Sequence, residues 1–531
     1  MIRPCNGSLK KATGVRCSRR AALGAIVFGT LAGALDTWGG VSLSQHRDTI
    51  LLDSEYQVIE NFGASDCWSM QKIGGWSLPN RERVADLLFS RTRGIGLSCW
   101  RFNFGGGINP QITNPWRTVE TFEISEGRYD WTRQANERWF LGAAKARGVP
   151  QFLAFANSPP GRITRNGLTF CDPDKAPSNL KPGFEGQFAR YLADILAHFR
   201  DNPDERQRVT FDYVSPVNEP QWDWTGHSQE GNRASNDVIK AIVRSLAAEL
   251  KRRQLPTQIA LVESGCLPDM WHLNERATTK YGTTFGNYLE DFWGASSVNG
   301  LLSGRIGYHS YNSDLLRGSL VENRATLGHK MQPYAGWKLW QTEYCVLLGS
   351  EGQGGRGRDL TMNTALDAAR IIHLDLTLAG VSAWHWWTAV SREDYKDGLI
   401  YTDWQKLGDP ETIYPARLMW VLGNYSRFVR PGMKRIELAG SGHDIRGLMG
   451  TAFKDEQGRQ VVAVYINLNG DVQEVQLELR LGARAWKLES ITPYITSDSP
   501  GDELKAYPAI APDGQIEMPG RAVVTLVAQF A

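Results

Sequence analysis

The sequence predicts an α/β fold, a closed (β/α)8 TIM barrel carrying a side antiparallel β-sandwich. Three observations predict it. Between residues 58 and 430, eight short apolar strands alternate with longer stretches of helical period. No G-x-G-x-x-G follows any of those strands, which removes the dinucleotide-binding open sheet. After Pro431 the texture changes to period-two alternation with turn residues between the runs. Strands joined through helices pair in parallel by right-handed crossovers, and eight of them close a barrel.

Taken in order, the first element is an address. Arg3, Lys10, Lys11, Arg16, Arg19 and Arg20 precede an apolar run, Ala21 to Leu35, and Ala32-Gly33-Ala34 offers a cleavage site. Ser18-Arg19-Arg20 is similar to a twin-arginine export signal, so residues 1–34 are expected to be a signal peptide. The remainder is expected to be exported, periplasmic or extracellular, and monomeric. No later stretch offers the roughly 20 apolar residues a bilayer demands, so no membrane contact is expected after signal removal.

The barrel strands are read at 58–66, 96–106, 150–159, 211–220, 258–265, 304–312, 338–346 and 381–390. A helix is expected over 132–147 with Ala135, Trp139, Ala143 and Ala146 on one face, stopped by Gly148 and Pro150. In 184–200 the apolar set is Phe188, Tyr191, Leu192, Ile195 and Phe199. In 235–255 it is Val238, Ile239, Ile242, Leu246 and Leu250, with Ser235 as N-cap. Helical patterns recur over 360–380 and 414–429. Residues 431–531 supply the side domain, and 36–57 are assigned to it as well, because the lone strand TILL (49–52) cannot bury its own face.

Composition narrows the function. Lys and Arg number 59 against 57 Asp and Glu, so there is no basic field for nucleic acid or anionic lipid. Nineteen Trp beside 17 Tyr and 19 Phe exceed what a core needs and suit stacking on sugar rings. Of seven Cys, five (Cys67, Cys99, Cys171, Cys266, Cys345) follow the signal, an odd number with no C-x-x-C; export in the folded state favours free buried thiols. The nine His are scattered without H-E-x-x-H, so no metal site is expected. The nearest approach to G-x-S-x-G is Gly226-His227-Ser228-Gln229-Glu230, whose last residue is wrong for a serine hydrolase.

A barrel of this kind builds its site from loops at the C-terminal ends of its strands. The ionisable residues there are Asp66, Arg101, Glu219, Glu263, His309, Tyr311, Glu343 and His385. Glu219 stands before Pro220, which predicts an extended backbone at Glu219, and Glu343 closes a strand of bulky residues. Strands four and seven face each other across the mouth. Two carboxyls there suit glycoside hydrolysis, which needs one group to give the leaving oxygen a proton while the other attacks the anomeric carbon. Gly105-Gly106-Gly107 is read as clearing space for substrate.

The segments Glu60-Asn61-Phe62-Gly63-Ala64-Ser65-Asp66 and Asn218-Glu219-Pro220, with Glu343 on strand seven, resemble glycoside hydrolase family 30. Residues 85–90 and 94–103 resemble its endo-β-1,6-galactanase branch. The resemblance spans nearly the whole chain after the signal. It implies a retaining β-glycosidase with Glu219 as acid/base and Glu343 as nucleophile, acting without a cofactor on a polysaccharide or oligosaccharide. It further implies that Asn218 bonds the sugar 2-OH, Arg101 keeps Glu343 ionised, and His309 and Tyr311 orient the nucleophile. Asp66 and Trp68 would bind the cleaved residue, with Trp386 as its floor and Trp387 on the opposite face. Trp222 and Trp224 would line the leaving-group side, and Glu263 would bind hydroxyls or brace the network. The chain differs from simpler members at His385, between Trp384 and Trp386, and in the Gly- and Arg-rich loop 349–359. β-1,6-Galactan is the expected substrate, with β-1,6-glucan and xylan as alternatives. A non-catalytic carbohydrate-binding protein is the rival of another class, and it would normally have lost one of the two Glu.

Overall fold

All eight expected strands form, and each is short because a tilted barrel strand crosses only a few residues of core. In the computed structural model, which describes residues 45–294, 298–404, 408–440, 443–511 and 515–531, they run Asn61–Ser65, Cys99–Asn103, Gln151–Phe155, Tyr213–Ser215, Gln258–Ser264, Leu302–His309, Lys338–Glu343 and Ala383–Ser391. The expected signal segment lies outside the described residues. Neighbours pair in parallel in chain order, and the eighth strand closes the ring against the first, with Trp384 opposite Phe62. The interior is filled by Cys99, Leu153, Tyr213, Ala260, Trp340 and Ala383. Near the N-terminal ends of the strands, Glu60 accepts from Arg305, Lys338 and the Trp340 indole.

Outside the ring, Glu185–Arg200 buries all five expected apolar residues. Asn236–Arg252 starts at Ser235, whose hydroxyl accepts from the Val238 N–H, and buries the expected set apart from the half-buried Val238. Ala135–Ala146 forms too, and Gly148 adopts φ 76° just past its end. Ala143 is buried as expected, but it is joined by Glu137, Phe140, Leu141 and Ala144 rather than by Ala135, Trp139 and Ala146. Phe140 and Leu141 gain more by burial than small alanines, which are equally good on a helix surface.

The side domain differs from the expected sandwich in its connectivity. It is one hydrogen-bonded sheet of nine strands, in the order Lys505–Ala506, Leu488–Thr496, Ala522–Phe530, Gln460–Asn467, Leu448–Asp455, Lys434–Gly440, Gln45–Val58, Gln473–Arg480, Gln515–Met518. The sheet curls until both ends share one core, in which Val475 and Ile516 join Ile491 and Ile495. Strand twist accumulates over so many strands, and curling is how a wide sheet covers its own apolar face. The segment containing TILL joins as expected, antiparallel to Lys434–Gly440 and parallel to Gln473–Arg480. The helices Met362–Leu374 and Arg417–Ser426 sit against this sheet, where Asn424 bonds Thr525 and His373 bonds Thr451. None of the five described cysteines is in a disulfide, and all five are buried.

Phe199 is the hub of the packing between barrel and helices, with ring centroids of Phe102, Phe104, Phe122 and Phe211 at 5.8, 6.4, 5.9 and 5.6 Å. Phe199→Ala is therefore expected to cost about 3–5 kcal/mol, because the surrounding rings cannot close the cavity. Chemical denaturation of both proteins measures it; a change below about 1 kcal/mol would contradict this packing.

Candidate active site

The second strand aims Cys99, Arg101 and Asn103 into the barrel, since alternate residues of a strand share a face. Arg101 has no exposed surface, and its guanidinium lies 3.7 Å from the centre of the Phe155 ring. It donates to Glu343 Oε2 at 2.6 Å, to Asn218 Oδ1 at 2.8 Å and to Glu263 Oε2 at 3.2 Å. Tyr311 donates to the other Glu343 oxygen at 2.9 Å. His309, at the end of the sixth strand, places Nδ1 3.0 Å from Glu219 Oε1 and Nε2 3.1 Å from Glu263 Oε2. Ser215 and Thr342 complete the shell of Glu263, each at 2.7 Å. Six of the sequence-derived residues thus form one network with Asn218 at its edge. The amide nitrogen of Asn218 makes no hydrogen bond among the described residues.

The backbone at Glu219 corrects the expected extended conformation. Its φ is 44°, and Glu263 is likewise left-handed at 56°. The chain doubles back after Ser215, and the two turns lock together: the Glu219 N–H donates to the Glu263 carbonyl at 2.8 Å. Pro220 excludes a right-handed helical backbone at Glu219 but leaves this third option open. Room for the carboxylates comes from missing side chains. A Cβ on Gly307 would stand 2.7 Å from Glu263 Oε1, and one on Gly265 would stand 2.9 Å from Glu219 Oε1.

These contacts separate the carboxyls electrostatically. Burial raises the Glu219 pKa, the His309 hydrogen bond only partly counters it, and the Glu343 charge adds to the rise. Burial would raise Glu263 too, but the Arg101 and His309 charges outweigh it and pull it down to about 2. Burial would lower His309, yet the Glu343 charge and the bonds to Glu219 and Glu263 lift it to about 9. Oxygens of Glu219 and Glu343 and a ring nitrogen of His309 all lie within 4.8 Å of one another. That spacing resembles a metal site, but a protonated imidazole and a guanidinium already hold these carboxylates.

The remaining expected residues divide. Asp66 and Trp68 sit at the end of the first strand, both buried. Burial and then the Glu137 charge push Asp66 well above the usual carboxylate range, while the Asn103 N–H donates to its Oδ1 at 3.0 Å. Trp386 does not offer a floor. It has no exposed surface, donates to the Asp397 carbonyl at 2.6 Å and packs at 5.7 Å from Tyr344. His385 points into the barrel toward Asn61, 2.6 Å away, so alternation sends Trp384 and Trp386 outward and leaves Trp387 at the mouth. Trp387 is half-buried and meets Trp68 edge-on at 5.3 Å.

Trp222 and Trp224 are half-buried beside Glu219 and line a cavity of about 290 Å³ with Asn274 and Arg276; Trp224 Nε1 donates to the Glu219 carbonyl at 2.9 Å. Gly105 does not clear space for substrate: a Cβ there would meet the Glu120 carbonyl at 2.4 Å, so it lets two loop segments touch. In the Gly- and Arg-rich loop, Arg358 clasps Asp403 and the Arg392 and Thr402 carbonyls. Sequence reasoning missed Asn103, Asn157 and Glu230, three buried polar residues in mutual contact beside Asp66. Asn103 was within reach of the rule that aimed Arg101 inward, two residues before it.

A family model described as O-glycosyl hydrolase family 30 matches residues 46–401, and the chain belongs to that family. It is a glycoside hydrolase. The chain is 24% identical over 494 residues to an endo-β-1,6-galactanase of Hypocrea rufa, covering 86% of this chain and 89% of the relative. It is also similar to a solved conserved exported protein from Bacteroides fragilis, at 30% identity and TM-score 0.79, over 90% of this chain and 99% of the other. The fold further matches the catalytic domain of a family 30 xylanase C from Talaromyces cellulolyticus, at 21% identity and TM-score 0.64, over 91% of this chain and all of that one.

The network predicts a signed pH dependence of stability. The folded pKa of His309, about 9, exceeds its ordinary 6.5, so its stabilisation is full below about pH 6.5 and lost as pH rises through 9. Glu263, at about 2 against an ordinary 4.5, stabilises fully above about pH 4.5, and this is lost as pH falls through 2. The thermal midpoint is expected to fall between pH 6.5 and 9, and His309→Asn to flatten that fall. Parallel curves for the two proteins in circular dichroism melts would contradict it.

Proposed function

We propose that this family 30 hydrolase is a retaining β-glycosidase acting on β-1,6-galactan, such as the side chains of arabinogalactan. The observation that carries the mechanism is the close approach of the Glu219 and Glu343 oxygens, within 4.8 Å. Inverting enzymes hold their carboxyl groups about 6.5–9.5 Å apart to admit a water, and retaining ones about 5–5.5 Å. In the first step Glu343 attacks the anomeric carbon, and the glycosidic bond breaks with its electron pair on the leaving oxygen. Glu219, whose pKa burial raises, gives that oxygen its proton. In the second step Glu219 takes a proton from water as the water displaces Glu343, which restores the starting state. Asn218 offers its unused amide N–H to the sugar 2-OH, where a bond strengthens as the oxocarbenium ion develops.

Support for the galactan comes from the relative whose name is endo-β-1,6-galactanase. Asp66 and Trp68 bind the cleaved residue, and the cavity between Trp222 and Trp224 takes the leaving side. Export uses the twin-arginine signal of residues 1–34. Among the described residues no helix is long and apolar enough to cross a membrane.

Glu343→Gln is expected to abolish both turnover and capture of a glycosyl-enzyme. Glu219→Ala is expected to slow polysaccharide by about 10²–10⁴-fold but an aryl glycoside with a good leaving group far less, because only the former needs the proton. Proton NMR of the first-formed product, on β-1,6-galactan, β-1,6-glucan and xylan in turn, reads both anomer and substrate. An α-product, or equal losses on both substrate types, would refute the assignment.

A further inference from the structure

The double displacement leaves one fully buried acid of the barrel mouth unused. Glu230 lies on the same loop as Glu219 and has no exposed surface. Its Oε1 accepts from Asn103 Nδ2 at 3.0 Å and from Asn157 Nδ2 at 3.4 Å; the Trp68 indole lies near it and opposes the rise of its pKa, but Trp68 Nε1 and Glu230 Oε2 make no hydrogen bond among the described residues. None of these partners is a cation. Buried carboxylates normally keep a counter-charge, and here burial lifts the pKa to about 7 with only neutral donors to oppose it. A side chain needed only for packing would not carry that penalty.

The three groups around it come from three different strand ends. Asn103 closes the second strand, Asn157 follows the third, and Trp68 follows the first. Asn103 shares a strand face with Arg101, which grips Glu343, and its N–H is tied to Asp66. The Glu230 segment is itself fastened across these loops: its N–H donates to the Arg117 carbonyl at 3.1 Å, and that of Gly231 to the Thr169 carbonyl at 2.8 Å.

We propose that Glu230 is a positioning residue for the sugar ring being cleaved. Through the amides of Asn103 and Asn157, with the Trp68 indole beside it, it fixes the hydroxyl-binding wall next to Asp66, and so sets affinity for that ring without joining in bond cleavage. This rests on the reading that the mouth takes a glycosyl ring.

In Glu230→Gln the charge that both Asn amides bond is lost and the second oxygen becomes an amide nitrogen, a donor beside the Trp68 indole donor, so the wall loosens while volume is kept. On an aryl β-galactoside and on the polysaccharide that the wild type cleaves fastest, KM is expected to rise tenfold or more with kcat within threefold, the pattern of lost uniform binding. Asn157→Ala should give the same split and decides the matter if Glu230→Gln does not fold. In a Glu343→Gln background, calorimetric titration with β-1,6-galactobiose, or with gentiobiose if the wild type prefers glucan, should show a tenfold weaker Kd once Glu230→Gln is added. An unchanged KM and Kd in folded variants, or a fall in kcat alone, overturns the positioning role. A wild type inert to every β-glycan would instead strike the glycosidase reading, and this proposal with it, so the wild-type assay tells the two failures apart.

Discussion

Three carboxylates and two cations share a volume almost closed to water, and that imbalance governs the site. Arg101 and His309 supply the positive charges; Glu219, Glu263 and Glu343 supply the acids. In a low dielectric an uncompensated charge is expensive, so the cluster favours taking up one proton. The geometry decides where that proton rests. Glu343 and Glu263 both touch the guanidinium, and Glu263 has the imidazole as well. Glu219 touches only the imidazole, which Glu263 shares. The pairing therefore favours the odd proton on Glu219, in keeping with the acid and nucleophile roles proposed for Glu219 and Glu343.

The barrel makes this counting possible by drawing each group from a different strand. Arg101 rises from the second, Glu263 from the fifth, His309 from the sixth and Glu343 from the seventh, so no local rearrangement of one loop can separate the pairs. Such a network breaks as a unit or not at all, because removing one member leaves its partner buried and unpaired. Glu263 helps make the two cations interdependent: it hydrogen-bonds both Arg101 and His309, while Glu343 bonds Arg101 and lies 3.6 Å from His309 Nδ1.

The legible parts of the molecule were those where one residue type has one physical use. Strand ends bearing Glu, His or Arg stood out because a charge at the rim of an apolar barrel needs a reason, and the eight-fold alternation was strong because buried parallel strands read as dense apolar runs. The failures share a cause as well. Trp384, Trp386 and Trp387 carry the same chemistry on either face of the eighth strand, so composition could not set the parity; the inward-pointing His385 did. Alanines on Ala135–Ala146 were equally ambiguous between surface and core. The side β domain was legible but the joining of its two layers into one curled sheet was not, because period-two patterning reports which face is buried and is silent on whether two layers are joined. Glu230 gave no signal, since it lies in the middle of a loop and its partners come from remote strand ends.

The left-handed backbones at Glu219 and Glu263 fit the same logic. A non-glycine residue in that region costs on the order of 1–3 kcal/mol, and asparagine or glycine would relax it. Neither could serve, because the role proposed for Glu219 needs a titratable carboxyl and Glu263 anchors two cations. The strain is held in place by the bond from the Glu219 N–H to the Glu263 carbonyl, and by the Trp224 indole and the Trp222 N–H, which both reach the Glu219 carbonyl. Glu219 is thus fixed through its own main chain as well as through its carboxyl. A side chain that changes charge in the proposed double displacement cannot rely on charge pairing alone for its position, and backbone contacts do not change when it titrates.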